Sequence, residues 1–135
     1  MNKLINSLLH LNGWVAVLIG VFIVIEPISM LSPYGLQTEL SNSLLSELRA
    51  PGGMLIVCGL TIVHSAVVPH FRERGLYLSA MVYGSYAGGR LLSIFLDGIP
   101  QIEILSALAI ELTLCGLSLV AIGNSRDNPA LSAAS

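Results

Sequence analysis

Long apolar stretches, separated by short polar breaks, dominate the chain. Four stand out: about Leu8 to Ile25, Gly52 to Val68, Leu76 to Leu96, and Ile102 to Ile122. Each holds about 17 to 21 residues, and an α-helix needs about 20 to cross the hydrocarbon of a bilayer. Lipid offers no hydrogen bonds to exposed backbone, so runs of this kind are expected to be helical. Pro27, Pro51, Pro69 and Pro100 fall at the ends of the runs, where a missing N–H does least damage. No small-x-small cleavage pattern follows the first stretch, which continues into Glu26-Pro27-Ile28, so it reads as a retained helix.

The segment Ser32 to Ala50 is patterned differently. Leu36, Leu40, Leu44, Leu45 and Leu48 recur at helical spacing, while Gln37, Glu39, Ser43, Ser46 and Glu47 take the other faces. This pattern predicts an amphipathic helix at the membrane surface. The expected fold class is therefore all-α: a polytopic membrane four-helix bundle with an amphipathic outer-surface helix between the first two spans. Residues 1–123 form the bundle, and 124–135 read as a polar, disordered tail.

Composition supports a lipid-facing surface. Only 10% of the 135 residues are charged, against about a quarter in an ordinary soluble domain, and 54% are hydrophobic. The net charge of −2 with no basic cluster argues against nucleic acid as a partner. Four spans would leave both termini on one side, with Lys3, Arg72, Arg74 and Arg126; Arg49 alone marks the other side among the terminal bases. By the positive-inside rule, both termini are expected in the cytoplasm, with the amphipathic segment facing out, toward a periplasm or equivalent compartment.

Charges inside a span are the residues most in need of a partner or a purpose, because each costs about 2.5 to 3.5 kcal/mol at the bilayer centre on insertion scales. Two qualify, Arg90 in the third span and Glu111 in the fourth. Measured from the turn that joins their spans, they lie at depths of roughly 10 and 15 Å at 1.5 Å per residue, a difference arginine is long enough to bridge, although Asp97 or a ligand could also take Arg90. Ser79, Tyr83, Tyr86, Arg90, Ser93 and Asp97 share one face of the third span at 100° per residue, and such a stripe should face an interior, a cavity or another subunit. Glu26, Arg49, Asp97 and Glu103 belong to the same end of the bundle. Together these groups would form either a charge network that pins helices or a site for a polar head group.

Ala80, Gly84 and Gly88 make a tandem small-residue ridge on another face of the third span, suited to close helix packing within the chain or with a second copy. His64 reads as a hydrogen-bonded interior residue, and Cys58 and Cys115 as small apolar core residues. No histidine or cysteine spacing suggests a metal or haem, no cofactor is implied, and no phosphate loop, nucleophile elbow or other catalytic residue can be named.

The segments ELRAPGG (Glu47 to Gly53), AGGRLLSIFLDGIP (Ala87 to Pro100) and IEL (Ile110 to Leu112) resemble the family catalogued as domain of unknown function 4345, small bacterial membrane proteins of four helices. The resemblance runs from about Gly13 to Gly123. It implies the four-helix membrane fold in a bacterial inner membrane, marks Arg49, Arg90, Asp97 and Glu111 as the family's charged positions, and implies no activity.

The leading functional expectation is binding of a membrane lipid or other amphiphile in an outer-facing cleft near Arg90 and Glu111, with Tyr83 and Tyr86 close by. A structural or accessory subunit, associating with its own copies or with a membrane complex through Ala80-Gly84-Gly88, is the alternative. A small proton-coupled transporter titrating Glu111 ranks third, and a membrane enzyme last.

Overall fold

The computed structural model describes residues 2–29 and 41–126. Four helices follow one another: α1 (Asn2–Ile25), α2 (Asn42–Val67), α3 (Arg72–Asp97) and α4 (Ile102–Arg126), with a single 3-10 turn at Pro69–Phe71 between α2 and α3. They form an all-helical bundle that runs up and down in alternation. One end gathers the start of α1, the end of α2, the start of α3 and the end of α4. The other, called here the Arg90 end, gathers the opposite termini.

Each helix has 24 to 26 residues, or about 36 to 39 Å at 1.5 Å per residue, which exceeds the roughly 30 Å of hydrocarbon. Three of them, α1, α2 and α4, are long and apolar enough to cross a membrane. The third apolar stretch of the sequence lies in α3, which is as long but less apolar, because it carries Arg72, Glu73, Arg74, Arg90 and Asp97 along with serines, tyrosines and glycines. Much of that polarity is turned inward: Ser79 and Tyr83 are buried, and Tyr86 and Arg90 are half-buried.

The second half of the amphipathic segment is helical, and it is continuous with the second span. Ser41 caps α2 by accepting from the Leu44 N–H at 3.3 Å, and the helix then runs through Pro51 without a break. Pro51 thus lies inside a helix, where it omits one backbone hydrogen bond, rather than between two. Residues 32–40 of that segment and 127–135 of the tail lie outside the described residues. At the far end of α3 the chain turns at Gly98, whose φ of +101° suits a residue without a Cβ, while its N–H still bonds to Ile94.

The bundle consists of two tight hairpins. α1 and α2 touch backbone to backbone at two levels. A Cβ on Gly59 would lie 2.6 Å from the Gly13 carbonyl oxygen, and one on Gly20 would lie 2.6 Å from that of Gly52. Gly13 and Gly20 face Gly59 and Gly52 across an antiparallel seam with two turns of helix between crossings. α3 and α4 form the second hairpin. Here the ridge of Ala80 and Gly84 finds its neighbour within the chain: the Cys115 thiol donates to the Ala80 carbonyl at 3.5 Å, and a Cβ on Gly84 would stand 3.2 Å from Cys115 Sγ. Gly88, the last member of the ridge, faces open space.

Two apolar clusters join the hairpins. Ile5, Leu9, Ile62, Ala66, Leu76 and Ile122 fill the end away from Arg90. Ala16, Leu55, Val82, Tyr83 and Leu114 fill the middle. Beyond Ala87 in α3 and before Leu108 in α4, no described residue is buried. The hairpins therefore pack along about half their length, and toward the Arg90 end α3 and α4 carry no further buried residue.

Candidate functional site

The polar stripe of α3 passes through three environments. At its buried end, Ser79 meets Asn12 of α1 and Ser118 of α4, all three fully excluded from solvent. The Asn12 side-chain amide donates to both hydroxyls, at 2.9 Å to Ser118, and the two serine oxygens stand 3.1 Å apart. One turn further on, the Tyr83 hydroxyl donates to the main-chain carbonyl of Asn12. This knot ties α1, α3 and α4 together in the middle of the bundle, where a polar group without a partner would be expensive. Asn12 Oδ1 takes no bond among the described residues.

Asn12 was not among the sequence candidates. Two signals pointed to it: an amide interrupting the apolar run of the first span, and helical alignment with Leu9 and Ala16, which are themselves core residues. Tyr83, by contrast, faces this knot rather than the cleft.

The middle of the stripe holds the ion pair. Arg90 Nε donates to both carboxylate oxygens of Glu111, at 3.0 Å to Oε1 and 2.9 Å to Oε2. The Arg90 side chain is 28% exposed and that of Glu111 12%, so the carboxylate lies on the inner side and the guanidinium nearer the opening. Only Nε takes part in these bonds. Both terminal nitrogens of Arg90 are without a hydrogen bond among the described residues, and so is the Tyr86 hydroxyl.

These groups border a cleft of about 390 Å³ lined by Ser85, Tyr86, Gly89 and Arg90. Tyr86 packs on its inner side against the central apolar cluster, and all four lining residues belong to α3, so the cleft is an open groove along that helix. Ser85 donates its proton to the Val82 carbonyl at 2.9 Å, so toward the cleft it can only accept. A Cβ on Gly89 would meet nothing within 4 Å, and the backbone is accessible there. The cleft thus offers several N–H and O–H donors over an apolar wall, beside a cation whose charge is already balanced.

At the mouth, the other charged groups of this end make separate local contacts. Arg49 Nε donates to the Val24 carbonyl at 3.0 Å, placing a cation at the C-terminus of α1, where its dipole favours positive charge. Asp97 accepts from Ser93 at 2.9 Å, one turn back on its own helix. Glu26 accepts a long 3.4 Å bond from Ser29. Of the charge network considered from sequence, Arg90 and Glu111 form a salt bridge, and Arg49, Asp97, Glu26 and Glu103 are solvent-facing neighbours.

At the opposite end His64 is exposed in the last turn of α2, its ring 6.0 Å from Phe71, which corrects the expectation of an interior histidine. Its position at the helix end, where the bundle meets the basic turn, is the reason. Among the described residues, no group of three or more histidine, cysteine or acidic side chains could hold a metal. Both cysteines are free and half-buried.

The family model described as domain of unknown function (DUF4345) matches residues 4–122. No curated protein and no solved structure matches the chain.

Proposed function

The chain belongs to the DUF4345 family, and we propose that it is a binding protein that holds the head of a lipid or other amphiphilic small molecule in the cleft beside Arg90 and Glu111. The observation that carries this reading is the state of Arg90. Glu111 orients its guanidinium through Nε alone, and Arg90 lines the groove together with Ser85, Tyr86 and Gly89. An arginine held by one partner through Nε alone keeps its terminal donors for a ligand, which suits a binding site better than a purely structural pin.

The surroundings support an amphiphile. Leu91, Leu92, Phe95 and Leu96, on the turns of α3 just beyond Arg90, are 48%, 58%, 86% and 68% exposed and would flank an acyl or isoprenoid tail with apolar surface. Charge asymmetry supports an orientation with both termini in the cytoplasm of a bacterial cell and the cleft toward the outer face of the inner membrane. Lys3, Arg72, Arg74 and Arg126 lie at one end, and Arg49 is the lone terminal base at the other.

The test is native mass spectrometry of the full chain released gently from detergent, with and without Arg90→Leu. A defined extra mass on the wild type that the variant loses while remaining folded supports the reading. A wild type that carries no additional mass and binds no added amphiphile would overturn it.

A further inference from the structure

The site's charge and donor inventory restricts what kind of head group it can hold. This inference rests on the binding reading above and narrows it. Glu111 has already neutralised Arg90 at hydrogen-bond distance. An anionic head would compete with Glu111 for the guanidinium, and wherever it won it would leave a half-buried carboxylate without its counter-ion.

The approach to the cleft is unfavourable to anions as well. The Arg90 end carries Glu26, Glu47, Asp97, Glu103 and Glu111 against Arg49 and Arg90, five acids to two bases among the described residues. Such a rim repels an incoming anion. A cationic head would pass the rim but would then face the Arg90 guanidinium, which repels it and offers only protons.

We propose that the cleft is selective for an uncharged amphiphile whose head presents carbonyl oxygens, of the quinone or ester class. Carbonyl oxygens accept from the terminal nitrogens of Arg90 and from the Tyr86 hydroxyl without disturbing the bond from Nε to Glu111. The apolar wall of α3 receives the tail. Glu111 is then a positioning residue that sets selectivity: it fixes the arginine and cancels its charge.

Three probes on one decyl chain separate the possibilities: decyl-benzoquinone, decanoate and decyltrimethylammonium, each titrated into the full chain in neutral detergent and read by native mass spectrometry. The quinone is expected to bind at least tenfold more tightly than either ion and to lose at least tenfold with Arg90→Leu. Glu111→Gln keeps an oxygen acceptor for Nε but uncovers the positive charge, so it should bring decanoate up to or above the quinone. Should Arg90→Leu fail to fold, Tyr86→Phe, which removes one donor, together with Glu111→Gln carries the test.

Preferential binding of decanoate or of the ammonium by the wild type, still dependent on Arg90, would overturn the head-group assignment and leave the binding reading intact. Equal affinities for all three, or a Glu111→Gln variant with unchanged preference, would overturn the assignment too. Absence of any Arg90-dependent binding would remove both.

Discussion

The amide of Asn12 donates to Ser118 at 2.9 Å across 106 residues of sequence, and the same amide bonds to Ser79. One side chain near the middle of the first helix thus fastens the last two helices, at a depth where water is not available to substitute. The Arg90–Glu111 pair, nearer the opening, fastens the same two helices to each other. The closed half of the bundle is held by neutral hydrogen bonds and apolar packing, and the open half by a charge pair beside a cleft.

Asn12→Ala should therefore destabilise the protein more than loss of either serine. Hydrogen bonds between membrane helices average about 0.6 kcal/mol and reach about 1.7, so removing two predicts a loss of about 1 to 3 kcal/mol. Ser118→Ala removes the Asn12 bond, the 3.1 Å contact with Ser79 and the bond to the Leu114 carbonyl, but it leaves Asn12 tied to Ser79 and so should stay at the low end of that range. Unfolding by titration with a denaturing detergent, followed by helical circular dichroism, gives both values. Equal effects for the three alanine variants would show that the amide is not the hub.

At the glycine seam the direction depends on which glycine is changed. A methyl on Gly59 would meet the Gly13 carbonyl oxygen at 2.6 Å, and both backbones would have to part. Gly59→Ala is expected to cost about 1 to 3 kcal/mol, the range of an overpacked core. Gly53, on the same helix, has nothing within 4 Å of an added Cβ. Gly53→Ala should be neutral or stabilise by up to about 1 kcal/mol through helix propensity. Thermal melts of the two variants side by side settle the comparison.

The α3 ridge makes a related prediction. Gly84→Leu should loosen the α3–α4 hairpin, because Cys115 occupies the space, while Gly88→Leu should leave stability within about 0.5 kcal/mol of wild type, as expected for open positions. Mass in detergent would read out a different role: a change in oligomeric state with Gly88→Leu alone would assign that glycine to a contact between copies.

For the ion pair, each single deletion should be worse than the double. Arg90→Leu or Glu111→Leu strands its partner's charge, and since both side chains are partly exposed the cost should lie near 1 to 3 kcal/mol, below the roughly 3 to 5 of fully buried pairs. The double variant should recover part of that loss. A double-mutant cycle measures the coupling directly, and strict additivity would mean the pair contributes nothing to stability.

Trp14 gives an independent check on the membrane assignment. It is the only tryptophan, lies near the middle of α1, and is 49% exposed on the surface of the bundle. Facing lipid at mid-depth, it should emit at short wavelength and be quenched more strongly by bromine placed deep on the acyl chains than by bromine near the head groups. The reverse order of quenching would place α1 differently in the bilayer.

The helices were legible in the sequence because their cause is local. A run of apolar residues long enough to cross a membrane has no other way to satisfy its backbone, and Gly98 with Pro100 marks a stop that needs no distant contact. The inward face of α3 was legible for the same reason, since Ser79, Tyr83, Tyr86 and Arg90 align by helical geometry alone. That α2 begins at Asn42 and runs through Pro51 was less so, because proline marks a break in local terms and the packing of Gly52 and Gly59 on α1 offsets the single bond it omits.

Pairing across helices is another matter, because it depends on the distance and rotation between elements far apart in the chain. Periodicity placed Arg90 within reach of both Glu111 and Asp97; the rotation of α4 against α3 gave the guanidinium to Glu111 and left Asp97 to Ser93. The small residues of α3 announced close packing but not its partner, which proved to be Cys115 on the next helix at Ala80 and Gly84. Asn12 passed unnoticed as one polar residue in an apolar run, and only the convergence of three helices made it the buried hub. Sequence by itself determined which segments form the long helices and which faces are polar, since both follow from composition and a fixed helical period. Tertiary structure alone decided which polar groups meet and where the buried core stops, since both depend on how rigid helices are set against one another.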